Sequence, residues 1–147
     1  MFEINWQSFL PEIVKLCSAF ILALPIAWER EQATRLIGLR TFPIVALASC
    51  GYLLVVNSLL EGSPDAYARL IQGLMTGIGF IGGGAILKQD YTVRGTATAA
   101  SVWSTGAVGA AVAFSRYDVA ISITVLNFLV LKLLTPLKKD EDEGETA

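Results

Sequence analysis

Histidine is absent from this chain of 147 residues, and cysteine occurs only twice. Without imidazole, neither a metal site nor a proton relay built on histidine is available. Charged residues make up only 16% of the sequence, whereas 54% of it is hydrophobic and the mean hydropathy is +0.58. A chain of this length and composition has no room for a separate soluble core, and its composition is typical of a membrane protein.

A stretch of 18 uncharged residues, Leu70–Leu87, carries six glycines. Glycine is unfavourable in a water-exposed helix, but in a bilayer it lets two helices approach closely. The spacing places Gly73 and Gly77 on one helical face and Gly79 and Gly83 on another. This is either a tightly packed central helix or one whose glycine face also lines a substrate path or a partner groove. The residues predicted to pack helices together are Gly73, Gly77, Gly79, Gly82, Gly83, Gly84 and Trp103.

Four further apolar segments bring the predicted number of transmembrane helices to five. These segments are Cys17–Trp28, Phe42–Leu60, Thr96–Ser115 and Val119–Leu131, the last extending to about Leu137 if Lys132 reaches the interface. Pro25 is expected to bend the first helix or to end its regular part. The amino terminus lacks a basic region, so no cleavable signal peptide is expected. The sequence therefore predicts an all-α membrane protein, a compact bundle of about five transmembrane helices over residues 1–137.

Basic residues are distributed unevenly between the two sides of this predicted bundle. Eight fall on one side and only Arg69 and Arg116 fall on the other. Lys15 lies at the start of the first span, where its spacing allows it to pair with Glu12. The eight are Arg30, Arg35, Arg40, Lys88, Arg94, Lys132, Lys138 and Lys139. The positive-inside rule therefore places the amino terminus outside and the carboxy terminus in the cytoplasm. Residues 138–147, with five acids, are predicted to be a disordered tail.

Two clusters of mixed charge, Trp28–Thr41 and Lys88–Thr98, lie directly against predicted spans. Charges at this depth are costly unless they are paired or wet. In one interpretation the arginines fix the topology and contact anionic lipid head groups. In the other, Glu29, Arg30 and Arg40 face inward and form a polar site at the cytoplasmic mouth, with Glu29 and Arg40 as partners.

The second cluster leads into a predicted helix through the step Arg94-Gly95-Thr96. Thr96 or Thr98 would cap the exposed backbone amides at the start of this helix. A helix amino terminus of this kind can also accept an anion. The simpler interpretation is a structural cap alone.

Five short motifs follow one another between Leu24 and Gly109. They are Glu29-Arg30-Glu31, Gly38-Leu39-Arg40-Thr41, Arg69-Leu70-Ile71-Gln72, the glycine-rich Gly77–Gly84, and Arg94–Trp103. Their order and spacing resemble the membrane domain of the MgtC/SapB family. The polar residues that the resemblance singles out are Glu29, Arg30, Glu31, Arg40, Thr41, Arg69, Gln72, Arg94 and Thr98. Phe42 and Pro43 depart from the family pattern, in which histidine is common, and the ACT-like domain of longer members is not expected after Leu137.

The resemblance implies a bacterial inner-membrane protein linked to magnesium limitation, acid adaptation and survival inside host cells. Some members are described as modulating the F-type ATP synthase. We therefore expect a non-enzymatic protein that packs in the lipid bilayer against a second copy, as a dimer, or against another inner-membrane protein such as that synthase. No cofactor, metal or nucleic-acid partner is predicted. A hydrolase has little support, because Ser101 and Ser104 lack a histidine base and would need Lys88 or Lys15.

The alternative function is a small oligomeric transporter or channel for an ion or an anionic solute. It would place Arg30, Arg40, Arg69 and Arg94 around a polar path that the glycine-rich helix lines. An excess of arginine disfavours a cation path. Five helices are few for a transporter, so this function would require a dimer.

Overall fold

The computed structural model of the protein describes residues 6–34, 37–59, 64–89 and 92–144. Five helices make up most of these residues: α1 (Trp6–Thr34), α2 (Thr41–Leu59), α3 (Pro64–Gly84), α4 (Thr96–Ala113) and α5 (Tyr117–Gly144). A two-stranded antiparallel hairpin, β1 (Leu87–Gln89) and β2 (Thr92–Arg94), joins α3 to α4. The prediction of an all-α membrane bundle is confirmed.

Three of the helices in the described ranges are long and apolar enough to cross a bilayer. The corresponding segments are Phe9–Ala33, Thr41–Ser58 and Tyr117–Leu134. Helices α3 and α4 are 21 and 18 residues long, but glycine, alanine, serine and threonine replace many of the larger apolar side chains. In a membrane such small residues are typical of helices that pack closely against others.

Two clusters of buried side chains follow one another along the bundle. The first contains Ala19, Ala23, Ala46, Cys50, Leu53, Val108, Ala111, Val112, Ala113 and Ala120, with Ile71 and Leu74 packed against it. The second contains Ile26, Ala27, Phe42, Val45, Ile78, Val102 and Leu131. Every helix contributes to both clusters, and the order in which the chain meets them reverses from each helix to the next. The five helices therefore run alternately up and down through the bundle.

Helix α4, and not the glycine-rich α3, occupies the centre of the bundle. It packs against each of the other four helices, and its buried residues occur along most of its length. In α3, by contrast, Ile78 and Gly82 are the residues that are buried. Helix α4 can take the central position because a glycine lets it approach α2 closely. A Cβ added at Gly109 would lie only 3.0 Å from the carbonyl carbon of Ala46 and from Cβ of Ser49. Only a glycine fits at that crossing.

Both end helices are longer than the sequence predicts. Helix α1 continues through Pro25 as far as Thr34, so the alternative in which its regular part ends at Pro25 is wrong. Helix α5 continues past Leu137 to Gly144, into the segment for which the sequence predicts a disordered tail. Lysine and glutamate, which are common in this segment, are favourable helix residues.

Lys15, on α1, makes a contact with the end of α4 that the sequence does not predict. Its Nζ donates a hydrogen bond of 2.8 Å to the carbonyl oxygen of Ala113, the last residue of α4. The carboxy-terminal carbonyls of a helix have no partner within the helix and carry partial negative charge. Lys15 therefore satisfies the end of the central helix, whereas the sequence spacing suggests Glu12 as its partner.

Candidate functional site

A buried ion pair lies near the carboxy-terminal end of α1. Nε and Nη2 of Arg30 lie 2.7 Å and 2.6 Å from Oε2 of Glu29. Arg30 is only 4% exposed, which is unusual for an arginine. The adjacent carboxylate offsets the cost of burying the guanidinium group. The structure therefore gives Glu29 a partner next to it in the sequence, not the predicted partner Arg40, which is exposed.

The first two motifs form one connection between α1 and α2. Oε2 of Glu31 accepts a hydrogen bond of 3.0 Å from the backbone N–H of Leu39. Gly38 is buried beside Glu31. A side chain would not fit there, because a Cβ added at Gly38 would lie 2.8 Å from Cα of Glu31. The carbonyl oxygen of Gly38 then accepts bonds from the N–H groups of Thr41 and Phe42, at 3.1 Å and 3.2 Å, as α2 begins. Glu31, Gly38 and Thr41 therefore hold the two helices together.

The start of α4 differs from the prediction that a threonine caps it. The N-cap residue is Gly95, which has a φ of 87° and makes no side-chain capping bond. An added Cβ at Gly95 would contact the carbonyl group of Ala85, so both the backbone angle and the space favour glycine. Thr98 is buried in the first turns of α4, and Arg94 is exposed on the hairpin.

The four arginines of the transporter hypothesis do not surround one path. Arg30, Arg40 and Arg94 belong to the end of the bundle beyond the second buried cluster. Arg69 precedes the residues of α3 that pack on the first cluster, and it therefore lies at the opposite end. It is exposed, as is Gln72, and its Nε lies 3.4 Å from the carbonyl oxygen of Asp65. Arg35, one of the eight basic residues on the predicted cytoplasmic side, lies outside the described residues.

A network of polar side chains joins α4 to α5. Oγ of Ser101 lies 2.8 Å from the carbonyl oxygen of Ala97 and 3.3 Å from Oδ1 of Asn127. The Asn127 amide nitrogen donates to Oγ of Ser104. Such bonds between helices stabilise membrane bundles. The sequence contains one signal for this network: Asn127 is the only residue with an amide side chain in the predicted span Val119–Leu131.

Most glycines of α3 have open space beside them among the described residues. A Cβ added at Gly82 would lie 3.1 Å from the carbonyl oxygen of Ala99 on α4. A Cβ at Gly73, Gly77, Gly79, Gly83 or Gly84 would meet no atom within 4 Å. With Thr76 and Phe80, these five glycines form a surface directed away from α4, called here the outer face of α3. Their predicted role in helix packing therefore requires a partner from outside the chain.

Two hollows flank α3. The first, an apolar pocket of about 120 Å³ between α3 and α4, is lined in part by Trp103, Gly106 and Ile78. The second is a more open groove of about 330 Å³ between α2 and α3, called here the α2–α3 groove. Its lining includes Ser49, Gly73 and Gly77. The groove continues the outer face of α3, and the two together are the candidate functional surface.

Metal binding finds no support in the described ranges of the chain. Nowhere among these residues do three or more histidine, cysteine, aspartate or glutamate side chains come together in a group that could hold a metal ion. The two acidic side chains at the end of α1 already have partners. Glu29 forms an ion pair with Arg30, and Glu31 accepts a hydrogen bond from the backbone N–H of Leu39.

Comparison with known proteins identifies the family. The profile of the MgtC family matches residues 16–140. Protein MgtC of Brucella abortus (strain 2308) is 36% identical over 132 residues, which cover 90% of this chain and 55% of the relative. Protein MgtC of Salmonella typhimurium (strain LT2) is 33% identical over 116 residues, covering 79% of this chain and 49% of the relative. The chain thus spans about half the length of these relatives, and no solved structure matches it. This membrane protein belongs to the MgtC family.

Proposed function

We propose that this protein is a non-enzymatic bacterial inner-membrane protein that acts through contact between the outer face of α3 and another transmembrane helix. The contact would serve adaptation to magnesium limitation or acid stress. The observation that carries the proposal concerns the five glycines on the outer face of α3: a Cβ added at any of them would meet no atom within 4 Å in the described part of the chain. Candidate partners are a second copy of the chain and another inner-membrane protein, such as the F-type ATP synthase.

The open glycines weaken α3 without improving its packing in the bundle. In a helix, glycine is less favourable than alanine by about 1 kcal/mol per residue. Alanine would fit at each of the five positions without a clash. The benefit of glycine in membranes is the close approach of a second backbone, which here must come from outside the chain. Contact with another helix therefore explains a feature that the fold does not.

The proposed topology has five membrane crossings, with the amino terminus outside. The alternating direction of the helices through the two buried clusters supports five crossings. The concentration of basic residues at the end of the bundle that carries Arg30, Arg40 and Arg94 supports placing that end in the cytoplasm. A topology reporter fused after Leu137 should report a cytoplasmic position, and one inserted near residue 61 an external one. If both report the same side, the topology is wrong.

A growth experiment tests the proposed contact. A strain that lacks its own copy of the gene is complemented with the wild type, with Phe80→Ala or with Phe20→Ala, in medium of low magnesium. Phe80 on the outer face of α3 is 87% exposed, and Phe20, the control, is an exposed phenylalanine on α1. We expect Phe80→Ala to lose complementation at a normal protein level and Phe20→Ala to retain it. Full growth with Phe80→Ala would refute the proposed role of this surface.

A further inference from the structure

We propose that the hairpin between α3 and α4 lies in the head-group layer of the cytoplasmic leaflet and binds anionic phospholipids. Lys88 and Arg94 would contact the lipid phosphates, while Ile86, Leu87 and Val93 contact the adjoining acyl chains. The choice of leaflet rests on the proposed topology, whereas the contact with lipid does not depend on it. Three features of the structure lead to this inference: exposed apolar side chains on the hairpin, the register of its strands, and its depth relative to the hydrocarbon layer.

The hairpin exposes three large apolar side chains within a short segment. Ile86, Leu87 and Val93 are 42%, 50% and 51% exposed. Apolar side chains that are exposed together mark a contact with a membrane or with another protein. The base of the hairpin is closely packed, because Ala85 is buried and a Cβ added at Gly95 would lie 3.1 Å from its carbonyl carbon. The hairpin therefore presents its apolar side chains from a well-packed base.

The strand register places one basic and one apolar side chain on each face of the hairpin. Leu87 is paired with Arg94, and Lys88 is paired with Val93. Paired residues lie on the same face of an antiparallel ladder, and successive residues alternate between the faces. Both basic residues are exposed. Because lysine and arginine can lay their stems along apolar surface and extend the charged end into a polar layer, either face suits the boundary between acyl chains and phosphates.

The base of the hairpin lies just outside the hydrocarbon layer. The second buried cluster marks the edge of this layer, because its Phe42 follows the first residue of one candidate span and its Leu131 lies three residues before the last residue of another. Ile78 and Val102 of the same cluster lie six residues from the end of α3 and from the start of α4. At a rise of about 1.5 Å per residue, the base is about 9 Å beyond the cluster and about 5–8 Å beyond the edge. The interfacial layer on each side of a bilayer is about 5–8 Å thick, so the hairpin begins within it.

Depth and charge together favour a lipid over a soluble protein as the partner. A soluble protein does not reach side chains that lie among the head groups, whereas the phosphates of the lipids are already there. The hairpin segment 85–95 contains Lys88 and Arg94 and one acidic residue, Asp90, which lies outside the described residues. One net positive charge near an anionic membrane surface favours binding about fivefold. The hairpin should therefore attract anionic lipids in preference to zwitterionic ones.

Fluorescence quenching in vesicles measures the depth of the hairpin. The full chain carries Cys17→Ser, since Cys17 is exposed and Cys50 is buried, and a fluorophore is attached at Val93→Cys. Reference labels at Leu126→Cys, exposed within the α5 span, and at Ala147→Cys, after the charged residues 138–143, report lipid and water. We expect lipids brominated on their acyl chains to quench the Val93 label more strongly than the Ala147 label. Iodide in the water should quench the Val93 label less strongly than the Ala147 label.

The same label measures the preference for anionic lipid. Vesicles of phosphatidylglycerol and phosphatidylcholine are prepared with bromine on only one of the two lipids, at equal mole fraction. We expect phosphatidylglycerol to be enriched beside Val93 about fivefold, and Lys88→Gln combined with Arg94→Gln to remove this preference. Arg116→Gln is the matched control, because Arg116 is exposed but already paired with Asp118 at 2.9 Å, and it should leave the preference unchanged. Thermal unfolding in detergent should be alike for all variants, since each altered side chain is exposed.

The inference is overturned if iodide quenches the Val93 label as strongly as the Ala147 label, because the hairpin would then stand in water, open to a soluble protein. It is also overturned if the double variant keeps the preference for phosphatidylglycerol, or if Arg116→Gln lowers it equally. Displacement of the lipid by inorganic phosphate at constant ionic strength would show a site for free phosphate and refute binding to the lipid surface. Both leaflets of the vesicles have the same composition, so these results do not depend on topology. A topology reporter that contradicts the proposed orientation would change the leaflet and leave the lipid contact intact.

Discussion

Helix α4 has two glycines and the outer face of α3 has five, and the surroundings of the two sets are opposite. Other helices enclose α4, and a Cβ at its Gly109 would lie within 3.0 Å of Ser49 Cβ and of the Ala46 backbone. A Cβ at Gly79 or Gly83 of α3 would meet nothing within 4 Å. Glycine therefore holds the fold together in one helix and leaves a surface open in the other. The position of a small residue relative to its neighbours, and not its frequency, decides which role it has.

The same contrast separates two arginines that lie ten positions apart. Arg30 is buried and paired with Glu29, whereas Arg40 is exposed. A buried charge depends on its partner, because water cannot replace the lost interaction. An exposed charge keeps its hydration when a neighbour is removed.

The largest effect on stability is expected for Glu29→Ala, which removes an ion-pair partner of the buried Arg30. Loss of one member of a buried ion pair costs about 3–5 kcal/mol, and the partial exposure of Glu29 favours the lower limit. Thermal unfolding in detergent measures the effect, with Arg40→Ala as the control, for which a much smaller change is expected. The double variant should show the sum of the two single effects. Strong coupling between the two positions would show that Glu29 interacts with Arg40 after all.

An intermediate effect on stability is expected for Leu74→Ala, on the side of α3 that faces the bundle. Leu74 packs against both buried clusters, so Leu74→Ala should lower the free energy of unfolding by about 2 kcal/mol. Leu126→Ala on α5 is the matched control, because Leu126 is exposed and should change stability little. Equal effects of the two variants would mean that α3 does not contribute its inner face to the core.

A small effect on the fold is expected for Gly79→Leu. From the sequence alone, a leucine at Gly79 or Gly83 is expected to destabilise the fold or the oligomer more than Leu74→Ala does. In the structure Gly79 faces open space, so the stability of the isolated chain should change by no more than ~0.5 kcal/mol. A leucine at Gly79 could still destabilise an oligomer, but the structure gives no reason for it to destabilise the fold. Unfolding of Gly79→Leu at a temperature as low as that of Leu74→Ala would show that this face is packed within the chain.

Helix positions could be predicted because charges and turns interrupt the apolar runs. The predicted spans Phe42–Leu60 and Thr96–Ser115 agree closely with α2 (Thr41–Leu59) and α4 (Thr96–Ala113). The hairpin between α3 and α4 was missed, because each strand has three residues and shows no clear alternation. The continuation of α1 through Pro25 was uncertain for another reason. A proline removes one helical hydrogen bond, and tertiary packing decides whether the helix survives that loss.

The candidate surface could be predicted only in part. Glycine spacing in the sequence identifies a close-packing face on α3, but the same spacing occurs whether the partner lies inside or outside the chain. Which glycines are open depends on the position of α4, and that follows from side chains distant in sequence, such as Ile78 against Gly106. The network around Asn127 likewise depends on contacts between helices.

The central claim is that the glycines of α4 hold the fold while those on the outer face of α3 do not. Thermal unfolding of Gly109→Ala and Gly83→Ala, at high dilution in detergent, tests it most directly. An added methyl group at Gly109 meets the Ala46 backbone and should lower stability by about 1–3 kcal/mol. At Gly83 it meets open space, and the better helix propensity of alanine should raise stability by up to about 1 kcal/mol. Opposite shifts of the unfolding temperature are predicted. A fall in both variants, or a fall at Gly83 alone, would contradict the account.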